Sequence, residues 1–228
     1  AGRIADQSGL DRMNEICRIK GRAGVGLLSA LPVIDKRYGL PGLAEDVDSG
    51  RWIEADVKTP QGYTVTVVCV YVHAGNTDDP EKMKQKYRFL DTMLVRMGQL
   101  RDEAAHGGKQ AVLCGDFNIA HTPLDIKNAK ANEKHAGFLP EERAYVDKWL
   151  GELEFVDVMR SLCGDIQGPY TWWSQRGRAF DNNVGWRIDY QFATPELAET
   201  ARGFVIDKAP TYDLRWSDHA PLSITYDV

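Results

Sequence analysis

The sequence predicts an α/β fold in which mixed β-sheets carry helices on their outer faces. Three observations lead there: β-branched apolar runs of strand length, two longer segments with apolar residues at helical spacing, and a chain order in which some strands follow through a tight turn and others through a helix. The 228 residues hold no internal repeat, low-complexity tract or long linker, so one domain over residues 1–228 is expected. With 43% hydrophobic and 27% charged residues the chain can bury a core, which excludes disordered and fibrous classes.

The elements follow in order. Ala23–Ser29 (AGVGLLS) reads as a glycine-rich apolar strand, and the glycines of Gly21–Gly26 lack the spacing of a phosphate loop. Trp52–Val57 alternates with period two. Tyr63–Val72 is β-branched and continuous, as a buried strand is, with Gln61-Gly62 as the hairpin turn between the two. Glu81–Glu103 places Met83, Tyr87, Leu90, Leu94, Met97 and Leu100 on one helical face and charges on the other. Ala111–Cys114 is a short buried strand ending at Gly115. Glu141–Leu153 is a second amphipathic helix, opened by Pro140 and two glutamates that complement a helix N-terminus. Tyr170–Ser174, Trp186–Ala193, Gly203–Ile206 and Ala220–Thr225 complete a strand-rich second half.

Charge and cysteine usage narrow the classes. A net charge of −5 argues against a surface coated in positive charge, but it leaves room for a local basic strip, because phosphate contacts depend on the local field. Cys17, Cys69, Cys114 and Cys163 lie far apart without a C-x-x-C pair, and Cys69 and Cys114 sit in strand-like runs as small hydrophobes, which points to a reducing compartment. The longest apolar stretch, Val67–Val72, is far below the ~18 residues that span a bilayer. No basic and apolar leader opens the chain.

The informative positions are polar residues at strand ends. In AVLCGDFN, Asp116 and Asn118 project to one side while Phe117 points inward; a carboxylate beside a carboxamide suits a hard cation or a phosphate oxygen, and the alternative is an Asx turn. In WRIDYQ, Asp189 shares a strand face with Arg187 and Gln191, and a carboxylate within such a run needs a partner: a structural salt bridge with Arg187 or another cation, or His219, for which Asp189 is the obvious candidate partner. In WSDHAP, adjacent Asp218 and His219 point in different directions and so serve different tasks. An Asp–His pair beside a carboxylate–carboxamide cradle suits phosphodiester hydrolysis, with a carboxylate activating water and a cationic imidazole binding the phosphoryl oxygen. No G-x-S-x-G elbow, Walker loop, G-x-G-x-x-G or H-E-x-x-H is present.

The segments GRAGVGLLS, VVCVYVHAGN, KYRFLD, LCGDFNIAHTPLDIKNAKANEKHAGFLPEER, YTWWSQR, NNVGWRIDY and WSDHAP, in this order, resemble the exonuclease III type of AP (apurinic/apyrimidinic) endonucleases within the endonuclease/exonuclease/phosphatase superfamily. GDFN and SDH alone indicate only the superfamily. The run from Cys114 to Arg143 and NNVGWRIDY are more specific to the DNA-repair branch.

The resemblance implies a DNase I-like four-layer α/β sandwich, with two mixed β-sheets packed face to face and helices outside. It implies a Mg²⁺-dependent phosphodiesterase (Mn²⁺ being the other candidate ion) that cuts duplex DNA 5′ to abasic sites and acts on 3′ ends. The expected setting is a monomer in the bacterial cytoplasm, nucleoid-associated and without a membrane partner. Tyr71 matches a tyrosine reaching the scissile phosphate, Asp116 the water activator, Asn118 the residue orienting water or phosphate, Asp189 the aspartate holding the catalytic histidine, His219 that histidine, and Asp218 the metal-side aspartate, so that Asp218, Asp116 and Asn118 form the implied metal side. Trp172, Trp186 and Ile188 fall where the family lines a pocket for an extrahelical abasic sugar; ordinary aromatic packing is the alternative. Lys127, Lys130 and Lys134, interleaved with Asn128 and Asn132, and Arg176 and Arg178 in a second loop, suit phosphate contacts flanking the lesion; a solvated face is the alternative.

Two departures bear on this. Tyr71-Val72-His73-Ala74-Gly75 stands where close relatives read Tyr-x-Pro-Asn-Gly, so Ala74 replaces an asparagine that helps hold the phosphate; His73 is either a partial substitute or a solvated loop histidine. The family also opens with a strand ending in Trp-Asn or Phe-Asn, a helix, and a strand ending in Gln-Glu, the last supplying its principal metal-binding glutamate. Neither motif is present, and the chain is expected to start at Ala1 beyond that unit, on the order of 30 residues. Glu15, in Arg12–Arg18, lacks a preceding apolar strand and is not assigned as a ligand. A phosphatase or phosphodiesterase acting on a small or lipid phosphate, and a non-catalytic DNA-binding remnant, are the competing readings.

Overall fold

The computed structural model describes residues 9–43 and 49–228, so the expectation about Ala1 lies outside the described residues. In chain order these hold β1 (Asp11–Ile16), β2 (Gly24–Ser29), β3 (Val33–Tyr38), β4 (Trp52–Lys58), β5 (Thr64–Tyr71), α1 (Pro80–Ala105), β6 (Gln110–Asp116), α2 (Ala129–Asn132), α3 (Pro140–Gly151), β7 (Val156–Asp157), α4 (Val158–Cys163), β8 (Asp189–Ala193), α5 (Pro195–Ala198), β9 (Ala201–Ile206) and β10 (Leu222–Tyr226). Some strands follow one another directly and others through helices, as expected, and none of the helices among the described residues is long and apolar enough to cross a membrane.

A six-stranded mixed sheet of order β3-β4-β5-β6-β8-β7 forms the centre. β5 and β6 run parallel because α1 carries the chain back between them, while β4–β5 is a hairpin and β8 is antiparallel to β6. The period-two alternation sorts the side chains. On one face Val68, Val70, Leu113, Tyr190 and Phe192 pack under Phe89, Leu90, Met93 and Met97 of α1 and Val146 and Trp149 of α3. On the other face, Ile53, Ala55 and Val57 meet Met13 and Val25 of the β1–β2 ribbon, and Val65 and Val112 meet Ile224 and Tyr226 of the β9–β10 ribbon. The second sheet layer consists of two antiparallel pairs among the described residues.

Sequence signals explain the ends of the helices. Asp79 caps α1 by accepting from the Lys82 amide, with Pro80 in the first turn. In α3, Glu142 reaches back to the Leu139 amide. The long strands match the expected runs, but two local readings are corrected and β1, like β3, was not anticipated. Tyr170–Ser174 is not a strand: Trp172 makes only isolated bridges, to Trp186 and to His219. Trp186–Ile188 lies outside the β8 ladder, so the alternation that put Arg187 beside Asp189 fails there. Asp11–Ile16, without an apolar run, is nevertheless a strand, because Met13 alone reaches the core and the backbone pairs with β2. No disulfide joins the four cysteines; Cys69 and Cys114 sit side by side in register, half-buried.

Candidate active site

Strand register builds the site first. Tyr71 at the end of β5 pairs with Asp116 at the end of β6, which in turn pairs with Asp189 at the start of β8. Three side chains separated by up to 118 residues of sequence therefore stand in one row at one end of the sheet. Adjacent strands lie about 4.8 Å apart, so the ladder itself spaces them.

The chain then leaves β6 in a tight turn. Asn118 adopts a left-handed φ of 50°, its backbone N–H donates to Asp116 Oδ1 at 2.8 Å, and its Nδ2 donates to Asp116 Oδ2 and the Val72 carbonyl, each at 2.9 Å. The Asx turn and the carboxylate–carboxamide pair thus coexist, and Phe117 is fully buried beneath them. His219 Nδ1 lies 2.9 Å from Asp189 Oδ2, which leaves Nε2 facing Asp116, 3.9 Å from its Oδ2. Asp218 turns the other way and accepts the indole N–H of Trp172 at 3.0 Å. Adjacent Asp218 and His219 do serve different contacts.

The partner of Asp189 is therefore His219 and not Arg187. Arg187 is fully buried elsewhere, held by Asp125 at 2.8 Å and by both oxygens of Asp157 at 2.9 and 2.7 Å, and stacked on the Tyr190 ring.

These groups border a cavity of about 470 Å³. Tyr71, Asp116, Asn118, Asp218 and His219 form its polar side, and Trp172, Trp186 and Ile188 its apolar side, with Asn132 at the rim. The two indoles meet edge to face at 6.0 Å. Asp189 stands behind His219 and lines a neighbouring cavity of about 350 Å³ with Cys114, Gln191 and Trp216. Arg51 stacks on the Tyr71 ring at 4.7 Å. The basic residues stay outside: Lys127, Lys130, Lys134 and Asn128 are exposed on the loop around α2, where Asn128 accepts from Asn132 through its carbonyl, and Arg176 and Arg178 are exposed on the loop after Trp172.

Both readings of His73 fail. It is buried edge-on against Phe89 and is absent from the cavity wall, so it is neither a solvated loop residue nor a substitute for the missing asparagine. Ala74 does line the cavity. Sequence reasoning missed Gly75, His135, Ala136 and Gly137, which also line it. The signal available was HAGF: Gly137 has φ +93°, and a Cβ there would lie 3.0 Å from Trp186, so glycine lets that indole close one wall. Lys86 and Glu142, both fully buried behind the wall, were missed too.

Electrostatics separates the two acid–base groups. Burial and then the neighbouring Asp189 charge hold Asp116 well above the usual carboxylate range, against the pull of His219, the Asn118 amide and Lys86. For His219 burial opposes the charged form, but the hydrogen bond to Asp189 and the charges of Asp189, Asp116 and Asp218 outweigh it and lift the imidazole to about 9. His219 is therefore a cation at neutral pH, aimed at the cavity.

Among the described residues no three His, Cys, Asp or Glu side chains group closely enough to hold a metal ion by themselves. The donor chemistry still fits a hard divalent cation. Asp116, Asn118 and Asp218 supply oxygen donors that line the same cavity. Mg²⁺ in particular is commonly held by one or two carboxylates, completing its shell with water and substrate phosphate.

Comparison with known proteins adds to this geometry. A sequence profile described as Endonuclease/Exonuclease/phosphatase family matches residues 6–219. An exodeoxyribonuclease of Bacillus subtilis (strain 168) is 32% identical over 209 residues, covering 92% of this chain and 76% of that protein. An AP endonuclease structure from Archaeoglobus fulgidus superimposes with a TM-score of 0.83 at 31% identity, over 98% of this chain and 81% of that one. The 3′ phosphatase NExo from Neisseria, solved with a product DNA hairpin, gives 0.83 at 27% identity, over 99% and 82%.

Proposed function

This chain belongs to the endonuclease/exonuclease/phosphatase family, whose DNase I-like fold it shares, and from that premise we propose that it is a Mg²⁺-dependent DNA-repair phosphodiesterase cutting 5′ to abasic sites and clearing 3′ ends. The relatives are DNA-repair nucleases, hydrolytic enzymes whose names span exodeoxyribonuclease, AP endonuclease and 3′ phosphatase. The observation that carries the finer reading is the two-sided cavity. One wall holds the groups of phosphodiester hydrolysis, and the other is an apolar recess of two indoles and an isoleucine. A base-free sugar swung out of the duplex fits such a recess, and swinging it out costs least where no base is paired.

In this reading Asp116 accepts a proton from water while Asn118 orients that water or the phosphate. His219, fixed through Nδ1 by Asp189, donates from Nε2 to a non-bridging phosphate oxygen and offsets the charge developing there. Tyr71 donates its hydroxyl to the same phosphate. The water oxygen bonds to phosphorus, the bond to the 3′ oxygen breaks, and that oxygen takes a proton from solvent water and leaves as a hydroxyl, while Asp116 returns the proton it accepted to solvent. The divalent ion, when bound on the Asp218 side with Asp116 and Asn118, supplies Lewis-acid stabilisation of phosphate charge. The exposed lysines and arginines grip backbone phosphates on either side of the lesion. The protein acts as a monomer in the bacterial cytoplasm.

The test is a duplex carrying one abasic site, incubated with Mg²⁺ or EDTA. Incision 5′ to the site that needs Mg²⁺ and drops at least about 100-fold in Asp116→Asn is expected, in line with the weight of a general base. A 3′-phosphate duplex in parallel reads the end-clearing activity. Absence of Mg²⁺-dependent incision would overturn the enzymatic reading, and DNA binding retained without it would favour a non-catalytic role. Undiminished activity in Asp116→Asn would remove Asp116 from the mechanism.

A further inference from the structure

Behind the cavity one buried cation gathers three segments of its wall. Lys86, on α1, is fully buried, yet its Nζ donates to the Asn118 carbonyl at 2.9 Å and the Ala74 carbonyl at 3.1 Å, and lies 2.6 Å from Glu142 Oε1. Glu142 is fully buried as well, and its other oxygen accepts the backbone N–H groups of Gly137 at 2.6 Å and Leu139 at 3.0 Å. The run after β5, the turn after β6 and the loop leading into α3 thus meet at one ion pair, and Ala74, Asn118 and Gly137 all face the cavity from the other side. Contact is tight: Gly75 has φ +76°, and a Cβ there would lie 3.1 Å from Lys86 Cδ.

A buried ion pair is a poor way to gain stability, since apolar residues of similar volume often do as well or better. What methionine cannot do is donate to two backbone carbonyls of different loops. We infer that Lys86, with Glu142, is a positioning pair that sets the separation between the Tyr71–Gly75 wall and the Asp116–Asn118 turn, and so aligns the groups that act on the phosphate. The inference rests on the reading of this cavity as the site of phosphodiester cleavage.

Two variants test it: Lys86→Met, and Lys86→Met with Glu142→Gln. Lys86→Met leaves Glu142 as an uncompensated buried charge and should melt at a lower temperature. The double variant removes that charge while the carboxamide oxygen at position 142 still accepts from the Gly137 and Leu139 amides, so it should regain most of the lost melting temperature. Activity should not follow. Misplacement of about 1 Å costs on the order of 100-fold, so kcat on the abasic duplex should stay about 100-fold low in the double variant with KM little changed. A double variant that regains kcat together with its melting temperature would reduce the pair to a structural role. Amide hydrogen exchange over residues 72–76 and 117–121 needs no substrate. Faster exchange there in the double variant, with the central strands unchanged, upholds the positioning role even if the wild type cleaves nothing, in which case only the functional reading falls. Unchanged exchange in those segments overturns the inference.

Discussion

His219 gains its charge from a single neighbour more than from its surroundings. Burial works against the imidazolium, and Asp189, at 2.9 Å, reverses that balance. Because the folded value lies above the ordinary 6.5, the cation persists through neutral pH and is lost as pH rises through about 9. Wild-type incision should accordingly fall off above about pH 9, and in Asp189→Asn the alkaline limb should move down toward 6.5; a limb that stays in place would detach His219 charge from turnover. Much of this was legible at the level of residues: GDFN, RID and SDH place Asp116, Asn118, Asp189 and His219 at strand ends, where polar side chains have reason to face a site. The exclusion of Arg187 as the Asp189 partner was not legible, because the ladder of β8 starts two residues after Arg187 and the alternation argument has no hold before it. Lys86 was not legible either. On a helical pattern a lysine reads as a solvated residue, and nothing local announces that Glu142, 56 positions on, meets it in the interior.

Among elements, the two loops flanking the cavity divide the labour differently from the strands. The strand ends carry the groups proposed for the chemistry, while the α2 loop carries exposed Lys127, Lys130 and Lys134 and the loop after Trp172 carries exposed Arg176 and Arg178. Exposed lysines contribute through counterion release, about one unit of salt slope for each phosphate met. Replacing Lys127 and Lys130 by alanine should flatten log K against log[salt] by about 2, measured by anisotropy of a labelled abasic duplex, and an unchanged slope would place both lysines off the DNA. The long elements α1, β5 and β6 were readable because their apolar periods run over many residues. Tyr170–Ser174 misled because its aromatics bury as single side chains, with Trp172 bridging Trp186 and His219 instead of joining a ladder. Asp11–Ile16 went unread for the opposite reason: one buried methionine gives no period.

For the molecule as a whole, buried carboxylates tie distant parts together. Asp125 links Arg187 and Arg160, and Asp56 links Arg37, Lys109 and Thr66. Burial pushes both carboxyls up, but the guanidinium charge and hydrogen bonds prevail and hold each at about 2, below the ordinary 3.8. A lowered folded value means stability present above about pH 4 and lost as pH falls toward 2. For Asp125 alone the shift amounts to about 2 kcal/mol. The melting temperature of the metal-free protein should therefore drop between pH 4 and 2, with a shallower drop in Asp125→Asn; parallel curves for the two would show that this carboxylate does not govern the acid limb.

The central sheet also has direction. β5 and β6 finish at the cavity and β8 starts there, so the turn at Gln61-Gly62, between β4 and β5, sits at the far end, exposed. The fold therefore has a working rim and an idle one. A peptide tag or a tether to a surface could be spliced into the idle rim without approaching the cavity, which makes that turn the natural handle by which to hold the molecule.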